Sequence, residues 1–463
     1  MEVYHTICEL TTNLKQKYLH KLSLNAFSRK RILTLEIVVA LVLSLTRDSK
    51  ENGFDIIISK FFQELHPEPA ERPSVTSSAL SQRRKQIPYE IFEGISHDLA
   101  SRIERNFQET SLWNGLKVYA IDTTTITLPN SEEIASKFQT HATYGRSAYY
   151  PQAKVLVGMN LMNGAIPFLA ISSYEVNDHS ILKANINKIP ENSLTIGDRG
   201  FSGHEIFILF EDNRFYLLRA KAGTVSHAPV RIFLRSGQKD AWVIFKNRDK
   251  KHADLEVRLI CAGKDKEGSD IVLATNLPMK YSSEDLKELY LKRWMIETLF
   301  NRAKNILKIE KFHSMSINGI KQEIFAWAIT SMMSYGFAKT ANDQIKEKHM
   351  SCSVKMAIEL TKLHLLKLLF SDMETLKTIT KDIVCEVLKT VYRVRYARKF
   401  PRMSKQPVKR WSNGNQRTEA LKNQIRPQQK SFIEHYGIKP MTNHGKYFDD
   451  SSDILLTKGL TVE

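Results

Sequence analysis

The chain has 463 residues, 42% of them hydrophobic and 25% charged, which is enough to bury a large core over two to four domains and excludes a disordered or fibrous protein. Its 68 lysines and arginines against 50 acids give a net charge of +18, which points to a polyanionic partner or an anionic surface, nucleic acid first. Cys8, Cys261, Cys352 and Cys385 are scattered without a Cys-x-x-Cys pair. They indicate neither a disulfide framework nor structural zinc and read as reduced thiols of a cytosolic protein. The N-terminus lacks the basic start and apolar stretch of a secretory signal. The most apolar segment, 32–45, is interrupted by Thr34, Glu36 and Ser44 and is shorter than the roughly 20 residues that cross a bilayer, so no membrane association is expected.

Helical periodicity runs over 1–115, broken by a loop at 66–74, and predicts a helical N-terminal domain. Within it, hydroxyl residues from Ser74 onward precede a short helix bearing Arg83, Arg84 and Lys85, which stops at Pro88. Such a helix either enters a DNA groove or presents a solvated charged face.

Beyond residue 116 the texture changes to short β-branched and aliphatic runs. Strands are predicted over 118–128, 153–160, 166–172 and 193–197, with a crossover helix over 177–189 before the last of them; the order suggests a mixed α/β sheet. A helix over 203–211 and a strand over 215–219 follow. Alternating valine, isoleucine and charged residues then predict a β-rich insertion over 221–283, with strands at 242–245 and 255–260. From Ser283 the chain reads as helical to about Tyr392, with acids in the first turn and bases later. Val354, Ile358, Leu365 and Leu369 line one face there, suited to an interface between protomers or to an intramolecular core. Residues 393–430 carry twelve lysines and arginines against the single acid Glu419, and 431–463 form a polar tail.

Three acidic positions stand out. Asp122 lies on or at the end of the first strand, before Thr123-Thr124-Thr125, and Asp198 ends the strand 193–197, followed by Arg199-Gly200. Each is either locally bonded in a turn or strand, or placed at the carboxyl end of a sheet where α/β folds carry their sites. On the helix after Ser283, Tyr290, Arg293, Glu297 and Lys304 are offset by 3, 7 and 14 residues, and so fall within roughly 60° of one another around the axis. Leu291, Leu299 and Phe300 would bind that helix to a core. Converging from two strands and a helix, Asp122, Asp198 and Glu297 would form an oxygen-rich site for hard divalent cations. Two such ions activate an attacking hydroxyl and stabilise the leaving oxygen of a phosphodiester.

The pattern Tyr290-x2-Arg293-x3-Glu297-x6-Lys304 resembles the Tyr-Arg-Glu-Lys signature of the insertion-sequence-four family of bacterial transposases, within the Asp-Asp-Glu superfamily. Ala120-Ile121-Asp122-Thr123 and Gly197-Asp198-Arg199-Gly200-Phe201 are similar to its two aspartate strands. The resemblance is strong over 116–336. It implies an α/β, RNase H-like catalytic core with a β-rich insertion, flanked by helical N- and C-terminal domains: 1–115 binding DNA ends, 116–345 catalytic, 346–430 helical and basic, 431–463 tail. It further implies that Asp122, Asp198 and Glu297 bind two Mg2+ ions, with Mn2+ a substitute. Tyr290, Arg293 and Lys304 would grip the transposon-end strand, and an aromatic of the insertion, assigned here to Trp242, would stack on a flipped base. The expected partners are double-stranded DNA, as terminal inverted repeats and target, and a second copy in a homodimeric synaptic complex. The expected location is the bacterial cytoplasm at the nucleoid. The implied activity is cut-and-paste transposition through a hairpin intermediate. An RNase H-like nuclease or resolvase would share the carboxylates but lack the insertion and the lysine-bearing helix, and a catalytically silent end-binding protein would not need all three acids.

Overall fold

The computed structural model of the chain describes residues 14–23, 26–29, 31–47, 53–138, 151–210, 213–222, 227–246, 254–265, 268–347 and 349–394. The expected basic segment 395–430 and the tail 431–463 lie outside the described residues. Those described belong to one compact unit spanning 1–141 and 151–394.

Among the described residues five α-helices come first: α1 (Leu14–Tyr18), α2 (Leu35–Ser44), α3 (Phe54–Leu65), α4 (Ser77–Lys85) and α5 (Tyr89–Asn106). Thr34 caps α2 by accepting from the Ile37 amide, and Thr76 caps α4 by accepting from that of Ala79. Then follow β1 (Lys117–Thr127), α6 (Glu132–Lys137), β2 (Gln152–Asn160), β3 (Phe168–Ser173), α7 (Asp178–Asn185), β4 (Ser193–Gly197), α8 (His204–Phe207) and β5 (Arg214–Ala220). The expected insertion supplies α9 (Ala228–Ser236), β6 (Asp240–Phe245), β7 (Leu255–Lys264) and β8 (Asp270–Thr275). The chain then turns helical through α10 (Ser283–Leu291), α11 (Trp294–Asn305), α12 (Ile317–Asn342), α13 (Val354–Phe370) and α14 (Met373–Leu388).

Strands β1 to β8 form one sheet in the order β3-β2-β1-β4-β5-β8-β7-β6, and the short strands Met350–Ser351 and Tyr392–Arg393 form a second among the described residues. β2 runs antiparallel to β1 and β3, whereas β4 is parallel to β1 and to β5. This is the mixed α/β, RNase H-like core that the resemblance implied. The insertion is not a separate sheet: β8 pairs antiparallel with β5, and β7 and β6 extend the same surface. It also holds a helix where only strands were expected, because Pro229 suits a first helical turn and Val230 and Phe233 bury toward the sheet.

Apolar side chains alternate between the two sheet faces. One face, with Val118 and Ala120 of β1 and Leu194 and Ile196 of β4, shares a core with the N-terminal helices and with α10 to α14. The other, with Ile121, Leu156 and Leu218, is covered by α7, α8 and α9. The 26-residue α12 is buried over nearly its whole length between the N-terminal helices and α13 and α14, which explains its apolar character all round. Its buried hydroxyls are satisfied locally; Thr330 donates to Ala326 O and meets Thr46 of the α2 end at 3.1 Å. The helical N-terminal region therefore shares its core with the helices on this face of the sheet instead of folding as a detached body. Ile358, Leu365 and Leu369 of α13 are likewise buried against α2, α3, α12 and α14, so of the two uses open to that face the intramolecular core is the one observed. Among the described residues no helix is long and apolar enough to cross a membrane.

Candidate active site

Register brings the two aspartates together. β1 and β4 are parallel, with Lys117 opposite Ser193 and Ala120 opposite Ile196; the ladder stops there, and two residues further along each chain stand Asp122 and Asp198. Both also follow the period-2 alternation of Val118-Ala120 and Leu194-Ile196, which puts them on the face carrying α10 and α11. Between the strands Gly197 leaves no room to spare for a side chain: a Cβ there would stand 2.8 Å from the Leu218 side chain and 3.3 Å from that of Ile121. Asp122 accepts from the Thr123 amide at 2.8 Å, and Asp198 accepts from the Gly200 amide at 2.8 Å.

The third carboxylate comes from the helical layer. The single helix expected after Ser283 is tightened at Lys292 and Arg293, where Arg293 N–H donates to Tyr290 O and Met295 N–H to Lys292 O in an i→i+3 pattern that separates α10 from α11. The helical sense persists through the break, so Tyr290, Arg293 and Glu297 still face the strand ends. The Tyr290 hydroxyl lies 3.4 Å from Gly197 O. Arg293, 8% exposed, donates to Glu297 at 2.6 Å and comes within 4.0 Å of Asp122. Lys304 donates to Thr125 O at 2.7 Å and so fastens α11 to the strand that carries Asp122.

The electrostatics follow from crowding. Burial, then the neighbouring Asp198 and more weakly Glu297, push the Asp122 carboxyl up to about 7, against the Thr123 amide and Arg293, which favour its charge. Burial disfavours the Arg293 cation, but Tyr290, Glu297 and Asp122 outweigh it and hold the guanidinium above its ordinary value. Burial raises Tyr290 to about 12, keeping its hydroxyl protonated.

The remaining sequence candidates separate. Trp242 stands on β6, 41% exposed, opposite Arg258 of β7. Arg258 is itself buried, bound to both oxygens of Asp240 and to the carbonyls of Pro278 and Tyr281 in the loop leading to α10. Of the three basic residues on α4, Lys85 is exposed. Arg83 lies 4.0 Å over the Phe27 ring and donates to Leu33 O. The reading of Arg84 as a DNA contact is corrected: it is 5% exposed and binds Gln322, Glu323 and Gly319 O of α12, because the Arg84 side of α4 packs on that helix. Sequence reasoning also passed over Trp294, 62% exposed beside Arg293, and Arg219 of β5, whose charge acts on Tyr290 and which pairs with Asp265 at 3.0 Å. Arg219 was legible as the residue two beyond Leu217 on the site's face of β5.

Residues 113–333 match the family described as the transposase DDE domain. This stretch is similar to transposase DDE domains. Over 268 residues, 56% of this chain and 70% of the relative, the sequence is 25% identical to a Synechocystis sp. protein named as a transposase for insertion sequence element IS4SA. Among solved structures, a piggyBac transposase synaptic complex with hairpin DNA aligns at a TM-score of 0.38 and 10% identity, over 89% of this chain and 86% of that one. The matched stretch runs from just before β1 into α12, and so includes all three carboxylates and the whole of the expected insertion.

Among the described residues no group of three or more His, Cys, Asp or Glu is arranged to hold a metal ion; Arg293 stands between Asp122 and Glu297 instead. The donor chemistry nonetheless fits a hard divalent cation. Asp122, Asp198 and Glu297 offer oxygen donors, and the burial that chiefly raises the Asp122 carboxyl, with the charges of Asp198 and Glu297 added to it, is a penalty on its charge that a cation beside them would offset.

Proposed function

We propose that the protein catalyses cut-and-paste transposition of an insertion sequence, with Asp122, Asp198 and Glu297 as its catalytic carboxylates. The observation that carries this reading is the meeting of the two aspartates past the end of the β1/β4 ladder beneath the helix that carries Glu297. Mg2+, or Mn2+ in its place, would be held by these three residues and would supply activation of the attacking oxygen and stabilisation of the leaving one.

The chain's own residues do the rest. Arg293, permanently charged beside the carboxylates, binds a phosphate of the end strand, and Tyr290 donates a hydrogen bond from a hydroxyl that stays protonated. Lys304, which bonds to Thr125 O and so holds α11 to β1, adds a second cation for the same strand. Trp242, with its ring exposed on the outermost strand, stacks on an extruded base. A freed 3′ hydroxyl then attacks the opposite strand to give a hairpin, which water reopens before joining to target DNA. Lys85 on α4 contributes to binding the terminal inverted repeats, two copies of the chain pair the ends, and the reaction takes place at the nucleoid in the cytoplasm.

Strand transfer on oligonucleotides bearing the element's own terminal repeats tests this reading. Joining of cleaved ends to target DNA supports a transposase. Cleavage without joining indicates a nuclease, and binding without either indicates a silent end-binding protein.

A further inference from the structure

We propose that His179 is a positioning residue for Asp198, acting through Gly200; this rests on the reading of Asp198 as a metal-holding carboxylate. The residue lies in the first turn of α7, which crosses over between β3 and β4 and begins at the carboxyl end of the sheet. That turn is fixed before His179 is considered. Asn177 caps it by accepting from the Ser180 amide, and Asp178 pairs with Lys154 of β2 at 3.1 Å.

From this fixed point the His179 Nε2 atom reaches the carbonyl oxygen of Gly200 at 2.7 Å. A carbonyl only accepts, so Nε2 must carry the proton, which selects the tautomer with Nδ1 unprotonated or the imidazolium. Gly200 in turn donates its amide to Asp198 Oδ1 at 2.8 Å, leaving Oδ2 as the oxygen available to a cation. A Cβ at residue 200 would stand 2.9 Å from Asp198 Oδ1, so a side chain there would displace the carboxylate. Its far end is anchored by buried Phe201, whose amide donates to Asp198 O at 3.2 Å.

His179 is thus the one side chain from another element shown bonded to this turn among the described residues, and it holds the glycine whose amide orients the carboxylate. An arrangement in which a histidine fixes a carboxylate from behind is the kind of outer support whose loss typically weakens metal binding by about 10- to 100-fold. Arg293 and Tyr290 do not touch this hydrogen bond, so the phosphate-binding side of the site would be unaffected by its loss.

The test measures Mn2+ binding by electron paramagnetic resonance on the full chain without DNA, alongside thermal unfolding, for wild type, His179→Ala, His179→Gln and Asp198→Ala. We expect His179→Ala to weaken Mn2+ binding at least 10-fold with little change in Tm, and His179→Gln, which keeps an N–H donor, to recover most of it. Where the alanine variant does not fold, His179→Leu fills the volume without a donor and is expected to behave as alanine would. Unchanged Mn2+ binding in His179→Ala, with binding lost in Asp198→Ala, overturns the positioning role and leaves the metal reading intact. Unchanged binding in both overturns the metal reading and the positioning role with it. In wild type, histidine 15N resonances must show a protonated Nε2 for His179; an Nδ1–H tautomer contradicts the inference.

Discussion

Arg293 donates a 2.6 Å hydrogen bond to Glu297, one turn further along the helix, while its guanidinium stands 4.0 Å from Asp122 across the gap between helix and sheet. A cation placed between two carboxylates of the site will meet whatever phosphate enters it. The sharply bent strand of a hairpin leans most on such contacts, so Arg293→Ala is expected to slow hairpin formation by on the order of 100-fold and the first nick by much less. Quantifying nicked and hairpin products on end-containing oligonucleotides separates the two, and equal loss at every step would leave Arg293 a structural role only.

Asp122 makes the metal-free protein sensitive to pH. Its carboxyl is pushed up to about 7 from a usual value of 3.8, so between these values the folded chain holds a proton that the unfolded chain releases. Stability of the metal-free protein should therefore fall as pH rises from about 4 to 7 on account of this group. Asp122→Asn should raise Tm at pH 8, by on the order of a few kcal/mol in stability, and change it little at pH 4. Calorimetry in chelator at the two pH values checks this; a stabilisation of the same size at both would show that the buried charge of Asp122 is not the cause.

Arg84 should behave as a structural residue. Its guanidinium is 2.9 Å from Glu323, both side chains are nearly inaccessible, and the pair ties α4 to α12. Removing the cation leaves the buried Glu323 carboxylate with the His313 amide but without its guanidinium partner, so Arg84→Met is expected to cost roughly 3–5 kcal/mol, with Glu323→Gln in the same chain restoring part of it. Urea unfolding of the single and double variants measures both effects.

The contrast between Arg84 and its neighbours shows what the sequence could and could not disclose. Strand positions, the carboxylates and the stripe of Tyr290, Arg293 and Glu297 were readable because period 2 and period 3.6 translate directly into faces. Burial of a charge was not readable: three consecutive basic residues look alike until the partner that satisfies the middle one, 239 residues away in Glu323, is in place. The same holds for α13, whose apolar stripe was equally suited to a partner chain or to its own core. The continuity of β8, β7 and β6 with the catalytic sheet was hidden too, since the antiparallel pairing of β5 with β8 spans a segment holding α9 and two further strands. The tightened turn at Arg293 arises without proline or glycine, and no local signal announces it.

Trp242 offers a separable prediction. At 41% exposed on the outermost strand it supports little of the core, so Trp242→Ala should leave Tm within a degree or two of wild type. If it stacks on an extruded base, the substitution should weaken binding of a substrate with an unpaired terminal base by about 1–3 kcal/mol. Fluorescence titration with 2-aminopurine at that base reads the stacking directly, and an unchanged affinity would place the stacking aromatic elsewhere.

The central claim, that Asp122, Asp198 and Glu297 act together on DNA, is tested most directly by cleavage of paired terminal repeats in Mg2+ by Glu297→Ala. Cleavage should fall below detection while binding to the same ends, measured in chelator, stays within a few-fold of wild type, because the basic contacts do not depend on this carboxylate. Cleavage at close to the wild-type rate would contradict the account.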